Sequence, residues 1–299
     1  MNLAPIVLFT YNRLEHTRKT LKALSQNDLA SKSDLFIYSD GPKTLENEAD
    51  VKAVREHIKG ISGFKSVAIV ERDENWGLAR SIISGVSEIV DRYSRVIVLE
   101  DDLVTSVLFL KYMNDALNFY AENEKVMHVA GYMLPVDNSD LPQTFFYKPT
   151  SCWGWGTWKR SWDFFEYDLE KLALRFTREM KKEFNLNGAY DFWSHIDMNL
   201  RGQMHTWAIR WYASVFVQNG FSLHPAKSLV ENIGHDSSGV HCVTTEVFRT
   251  ELGADNVTFF PERIEENKKA RALIESYYRR NSGFRSRLLS KLKKIFSSN

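Results

Sequence analysis

The stretch VIVLEDDL, residues 96–103, runs four apolar residues directly into Glu100, Asp101 and Asp102. Adjacent carboxylates raise one another's pKa values unless something positive sits against them. Side chains alternate along a strand, so an extended Glu100-Asp101-Asp102 would aim its outer members to one side. Carboxylates grouped there suit a hard divalent cation, Mn2+ or Mg2+, which takes oxygen ligands and often keeps water. A cation with only one or two protein ligands is usually completed by substrate phosphates. The alternative is a solvated acidic turn capping the next helix, since Asp is a good N-cap.

The elements around this run follow a clear order. Strands are expected at 5–9, 35–38, 67–70 and 96–99. Between them, three sets recur at helical spacing: Leu14, Thr17, Leu21 and Leu24; Val51, Val54 and Ile58; and Leu78, Ile82, Val86, Ile89 and Tyr93. Strand–helix repeats with near-continuous apolar strands predict an α/β fold whose parallel sheet is covered on both faces. Ligands of such sheets bind beyond the carboxyl ends of the strands. Residues 10–13, Asp40 and the acidic triplet all fall there. From about 145 the alternation stops. An aromatic stretch containing CWGWGTW (152–158) is followed by helical patterns at 169–184 and 189–200, by TWAIRWYASVFV (206–217) and by ENIGHDSSG (231–239). No Pro/Ser linker separates the halves, which predicts one continuous domain or two tightly packed lobes.

The totals exclude some classes. A formal net charge of +1 gives no global basic field for nucleic acid. Cys152 and Cys242 form no metal or redox spacing and read as structural thiols, which fits a reducing cytoplasm. The start, MNLAPIVLFTYNR, lacks the basic region of a signal peptide, and no stretch approaches the ~18 apolar residues of a membrane span. In the tail, Phe284, Leu288, Leu292, Ile295 and Phe296 share one helix face, with Arg285, Arg287, Lys291, Lys293 and Lys294 over much of the rest. Such a helix can lie on an anionic membrane or pack on the domain with its basic face solvated.

PIVLFTYNR, IYSDGP, NWGLARSI and VIVLEDDL, in this order and spacing, resemble the nucleotide-sugar half of GT-A glycosyltransferases. The Glu-Asp-Asp form is similar to N-acetylglucosaminyltransferase I and related bacterial sugar transferases. The resemblance covers about 4–130 and matches the second half more loosely. It implies a Rossmann-like, mostly parallel sheet with flanking helices and an acceptor-side C-terminal half. It divides the chain into a donor half (4–130), an acceptor and catalytic half (131–280) with a lid loop at 231–242, and a basic tail (281–299).

The same resemblance assigns roles. Thr10, Tyr11, Asn12 and Arg13 hold the nucleotide, Arg13 offering phosphate a planar donor fork. Asp40 contacts the base, and Asn75 and Arg80 line base and ribose. Glu100 faces the donor sugar, Asp101 contacts ribose or sugar, and Asp102 is the metal ligand. An inverting transfer also needs a general base. The family's base segment falls on 207–211, where Trp-Ala-Ile-Arg-Trp carries no acid, so Asp197 and then Asp191 are the candidates. A retaining mechanism stays open. His241, or secondarily His235, could touch phosphate or complete the metal shell. Trp153 and Trp155 could stack on the acceptor, or fill the core as large aromatics usually do.

The expected activity is metal-dependent sugar transfer from a nucleotide-diphosphate donor, UDP favoured over GDP. The acceptor would be a surface glycan or lipid-linked sugar at the inner face of the membrane. A nucleotidyl- or phosphotransferase using Mg2+ is the competing enzyme reading, although no GxxxxGK[ST] loop is present. A carbohydrate- or nucleotide-binding module without chemistry is the third.

Overall fold

A computed structural model describes residues 3–236 and 247–281. In chain order the strands are β1 (Ile6–Thr10), β2 (Asp34–Ser39), β3 (Ser66–Glu71), β4 (Arg95–Glu100), β5 (Leu103–Thr105), β6 (Val126–Ala130), β7 (Thr144–Tyr147), β8 (Trp155–Trp158), β9 (Phe221–Pro225) and β10 (Val230–Asn232). The helices are α1 (Leu14–Ser25), α2 (Glu48–Lys59), α3 (Leu78–Tyr93), α4 (Phe109–Phe119), α5 (Lys159–Trp162), α6 (Leu169–Leu174), α7 (Arg178–Phe184), α8 (Trp193–Leu200), α9 (Ala208–Val217) and α10 (Lys268–Arg280).

Eight strands form one sheet in the order β3-β2-β1-β4-β8-β6-β9-β7, while β5 and β10 pair as a separate antiparallel ribbon. Neighbours among β1 to β4 run parallel, as do β6 and β9, and β8 lies antiparallel to both β4 and β6. The alternating side chains of β1 explain why both faces are covered. Ile6 and Leu8 enter a cluster with Leu21 and Leu24 of α1, Val54 of α2 and Met113 of α4. Val7 and Phe9 enter the opposite one, with Ile82 and Val86 of α3 and Trp211 of α9. Burying each such side chain is worth about 1.5–3 kcal/mol.

The four expected strands of the first half occur, each within a residue or so of its expected ends. The second half differs. The helix read over 169–184 is two, because Asp168 caps α6 and the Thr177 side chain starts α7 afresh, its hydroxyl oxygen accepting the Met180 N–H at 3.2 Å. The one expected from 189 begins at Trp193, after a stretch in which Asn187 holds a left-handed φ of 53°. Among the described residues no helix is long and apolar enough to cross a membrane. The tail beyond Asn281 and the residues 237–246 lie outside the described structure.

Candidate active site

The sheet order places β1 between β2 and β4, so the chain moves outward through β2 and β3, then returns to β4 on the other side. That reversal opens a crevice at the carboxyl ends of β1 and β4, the usual binding position in such sheets. Arg13 leaves β1 there and opens α1 with a non-helical φ of −108°. Glu100–Asp102 leave β4 there. The Arg13 Nη2 donates to Asp101 Oδ1 at 2.5 Å and to Asp102 Oδ2 at 2.8 Å. The extended triplet expected from the sequence is not what forms. β4 ends at Glu100, and Asp101-Asp102 turn, so that these two carboxylates share one guanidinium.

Electrostatics in the crevice follow from burial with too little positive charge. Asp101 and Asp102 are buried. Burial opposes the Arg13 charge, but Asp101 and Asp102 outweigh it and raise the guanidinium's pKa further. Burial pushes Asp101 up to about 6; Arg13 and the Tyr11 N–H oppose this, while Asp102 adds to it. Glu100 is half-buried as the last residue of β4. Burial first, then Asp102 and Asp101, push it up to about 8. The Thr20 hydroxyl, from α1, donates to the Asp101 main-chain oxygen at 2.8 Å and fixes the turn.

Asp40, at the end of β2, is committed to backbone. Its carboxylate accepts the N–H groups of Gly41 at 3.1 Å, Trp76 at 2.8 Å and Gly77 at 2.9 Å. Asn75 closes the same corner through its Nδ2, which donates to the Gly41 carbonyl at 2.8 Å. Both residues therefore shape the loop before α3 rather than standing free in the crevice. Above it, Trp76 lies between two guanidiniums, Arg72 at 3.4 Å and Arg80 at 3.9 Å from its ring centroid. Gly41 admits this packing because an added Cβ would lie 2.5 Å from the backbone carbon of Glu74. Gly41→Ala is expected to force the two loops apart, cost about 1–3 kcal/mol, and weaken any ligand held at this corner. Chemical denaturation alongside ligand titration checks both effects.

The second half reaches the crevice through the small ribbon. β10 pairs with β5, Asn232 opposite Leu103. The Ile233 N–H then donates to the Asp102 carbonyl at 2.9 Å. Gly234 lies so close that a methyl group there would overlap the Asp102 carboxylate. His235 follows, its Nε2 buried without a hydrogen-bond partner among the described residues. Burial lowers its pKa, with Asp102 and Asp236 acting against that shift. Asp236 Oδ2 is 3.2 Å from His16 Nε2 of α1. The start of the expected lid is thus anchored beside Asp102, whereas its continuation to 242, with His241 and Cys242, lies outside the described residues.

Trp153 packs edge-on against His235, with ring centroids 5.3 Å apart, and against Tyr132 and Phe248. Trp155 is completely buried among His128, Trp162, Trp207 and Trp211. It offers no ring face to an acceptor, which corrects its expected role. The cause is Gly154, whose left-handed φ of 64° breaks the extended alternation and sends the two rings to different clusters. Cys152 is a free, half-buried thiol. Burial first, then Glu100, holds it well above its ordinary pKa, which disfavours the reactive thiolate.

Thr10 is buried with its Oγ1 unpartnered among the described residues, Tyr11 donates its hydroxyl proton to Asn47 at 2.9 Å, and Asn12 is half-buried at the same strand end. The two candidate bases lie on another part of the chain. Asp191 is exposed and occupied at the start of α8, its Oδ1 accepting from Asn185 Nδ2 at 3.0 Å and from the Ser194 N–H at 3.1 Å. Asp197 is half-buried on α8 itself. Helix α8 packs on α6 and α9 rather than on β1 or β4, and among the described residues neither aspartate hydrogen-bonds or ion-pairs with Arg13 or the acidic triplet. A separate depression of about 390 Å³, lined by Ser87, Asp91, Lys159, Trp162 and Tyr167, lies further along α3 and contains none of these residues.

Sequence reasoning missed His16, Thr20, Arg72 and Trp76. Only Trp76 carried a signal, standing inside NWGLARSI.

Among the described residues no three His, Cys, Asp or Glu side chains converge to hold a metal ion by themselves. The crevice nevertheless fits a cation completed by ligand oxygens. It holds two buried carboxylates on one guanidinium, a third at the end of β4, and beside them a buried imidazole nitrogen without a hydrogen-bond partner among the described residues.

No family model matches the chain, and no curated protein matches it. Among solved structures it is similar to S. aureus TarS at 14% identity, over 44% of this chain and 22% of that one, with a TM-score of 0.32. The likeness to TarS 1–349 is 12% identical, over 77% of this chain and 60% of that one, with a TM-score of 0.43. The mannosyltransferase PcManGT from Pyrobaculum calidifontis, solved with GDP-Man and Mn2+, is 11% identical over 73% of this chain and 70% of that one, with a TM-score of 0.40. The chain spans 22% and 60% of the two TarS structures. Likenesses this slight fix neither family nor reaction.

Proposed function

We propose that the chain is a glycosyltransferase that moves a sugar from a nucleotide-diphosphate donor, UDP-linked in the first instance, to a glycan or lipid-linked acceptor, using Mn2+ or Mg2+. The observation that carries this reading is the meeting of Arg13 with Asp101 and Asp102 where the strand order reverses. A planar cationic fork and an acid pair at one strand-end crevice suit a diphosphate and its counter-ion.

In this reading Arg13 and the N-terminus of α1 face the diphosphate, where backbone N–H groups and the helix dipole favour anions. The corner built by Asp40, Asn75 and Trp76 receives the base, with Arg72 and Arg80 stacked on Trp76. Asp102 holds the cation, with Glu100 and Asp101 toward sugar and ribose. When bound, the cation neutralises charge developing on the departing diphosphate. Trp153 and the segment from Asn232 to Asp236 close the acceptor side and exclude water. No transfer role falls to Asp197 or Asp191, since both sit on or beside α8, away from the strand-end crevice. The basic tail at 281–299 would hold the protein to anionic lipid at the cytoplasmic face, and the halves 4–130 and 131–280 divide donor from acceptor binding.

Thermal unfolding with UDP, GDP and nucleoside triphosphates, each with and without Mn2+, tests this. A nucleoside diphosphate at a hundredfold its Kd should stabilise the chain by about 2.7 kcal/mol, and only with the metal present. Stabilisation by ATP alone would move the assignment to a phosphotransferase. Metal-dependent nucleotide binding without sugar hydrolysis or transfer would leave a binding module.

A further inference from the structure

One nitrogen of Arg13 contacts both carboxylates, and the guanidinium is largely enclosed, with 19% of its side chain accessible. Among the described residues the Asp102 carboxylate accepts hydrogen bonds from Arg13 alone. One positive charge thus faces two negative ones in a site closed on one side by Gly234. A divalent cation would balance the acid pair by itself and would release the guanidinium, which pairs with no other anion among the described residues.

We propose that Arg13 is an exchangeable counter-cation: in the nucleotide-free chain it occupies the Asp102 carboxylate that a divalent cation takes in the loaded state, and an incoming diphosphate draws it away. This rests on the metal–diphosphate reading of the crevice above. A cation arriving alone must compete with a charge tethered to the neighbouring strand, whose effective concentration is on the order of millimolar or more. A cation arriving with a diphosphate meets no such competitor, because the Arg13 fork then has phosphate oxygens to bind. Metal and nucleotide therefore bind with positive coupling, each strengthening the other by the same factor. Arg13 is a positioning residue for the cation and sets the order of loading.

The test measures free Mn2+ by electron paramagnetic resonance for the native chain, Arg13→Gln and Arg13→Lys, with and without UDP or GDP. For the native chain, nucleotide should tighten Mn2+ binding on the order of 10–100-fold. Arg13→Gln should bind Mn2+ without nucleotide roughly tenfold tighter than the native chain, and the nucleotide effect should shrink by about the same factor, leaving the part that phosphate ligation of the metal supplies. Arg13→Lys keeps the charge but lacks the planar fork, and should fall between the two. If the Gln variant, folded by circular dichroism, binds Mn2+ alone no more tightly than the native chain, Arg13 is not the competitor and the proposal is overturned. Should the Gln variant not fold, the Lys variant decides in its place, and Mn2+ binding no tighter than native overturns the proposal equally. If the native chain binds Mn2+ neither alone nor with either nucleotide, the metal-site reading itself fails, a result distinct from the first.

Discussion

Asp102→Asn is expected to abolish metal-dependent stabilisation by nucleotide and to lower sugar transfer by about 10²–10³-fold, while leaving the fold intact. Asparagine keeps the side chain's shape, and Arg13 retains its bond to Asp101, so no buried guanidinium is stranded. What is lost is the anionic oxygen that a hard cation prefers. A longer acid should not rescue it. In Asp102→Glu the extra methylene has to enter space already taken by Gly234, so metal-dependent binding is expected to stay near the level of the Asn variant. Unfolding temperature with and without Mn2+ and nucleotide reads both variants. An Asn variant that keeps the full metal-dependent shift would remove Asp102 from the site.

Glu100→Gln is expected to make the ligand-free protein more stable at alkaline pH and inactive in transfer. The folded chain holds the Glu100 proton up to about 8, whereas the ordinary value is 4.5. Between those values the folded state binds the proton and the unfolded state does not, so stability falls as pH rises through this window. It is complete below the ordinary value and spent above about 8. Glutamine stays neutral and removes the loss, which is on the order of a few kcal/mol. Urea denaturation at pH 5 and pH 9 should therefore show the two proteins alike in acid and the variant ahead in alkali. Parallel curves at both pH values would mean that Glu100 is not held protonated by the fold. A carboxylate kept where it weakens the protein is better explained by chemistry than by packing.

The first half was readable because its strands are buried on both faces. IVLFT and VIVL are apolar or nearly so at every position, and the intervening helices show their buried stripes by spacing alone. The acidic triplet was readable because charge rarely follows a buried strand without purpose. Its geometry was not: a turn at Asp101 pairs neighbouring acids on Arg13, across 88 residues of sequence, where alternation suggested pairing the outer two. Asp40 was legible as a strand-end acid, yet its commitment to three N–H groups depends on the loop before α3, with Trp76 arriving from 36 residues away. Trp155 was misplaced because a single left-handed glycine undoes the period on which facing is judged. His16 and Asp236 meet through tertiary structure alone, and no local pattern marks them.

The placing of β8 bears on any attempt to use the halves separately. A fragment ending at 130 would keep β4 and β6 but lose the strand hydrogen-bonded between them. One edge of β4 and both edges of β6, which loses β9 as well, would then stand open as raw sheet edges, and such edges recruit other chains. A piece cut there should precipitate or cross-pair rather than behave as an autonomous nucleotide-binding module. Chimeras that exchange acceptor specificity would need to carry residues 155–158 along with the first half.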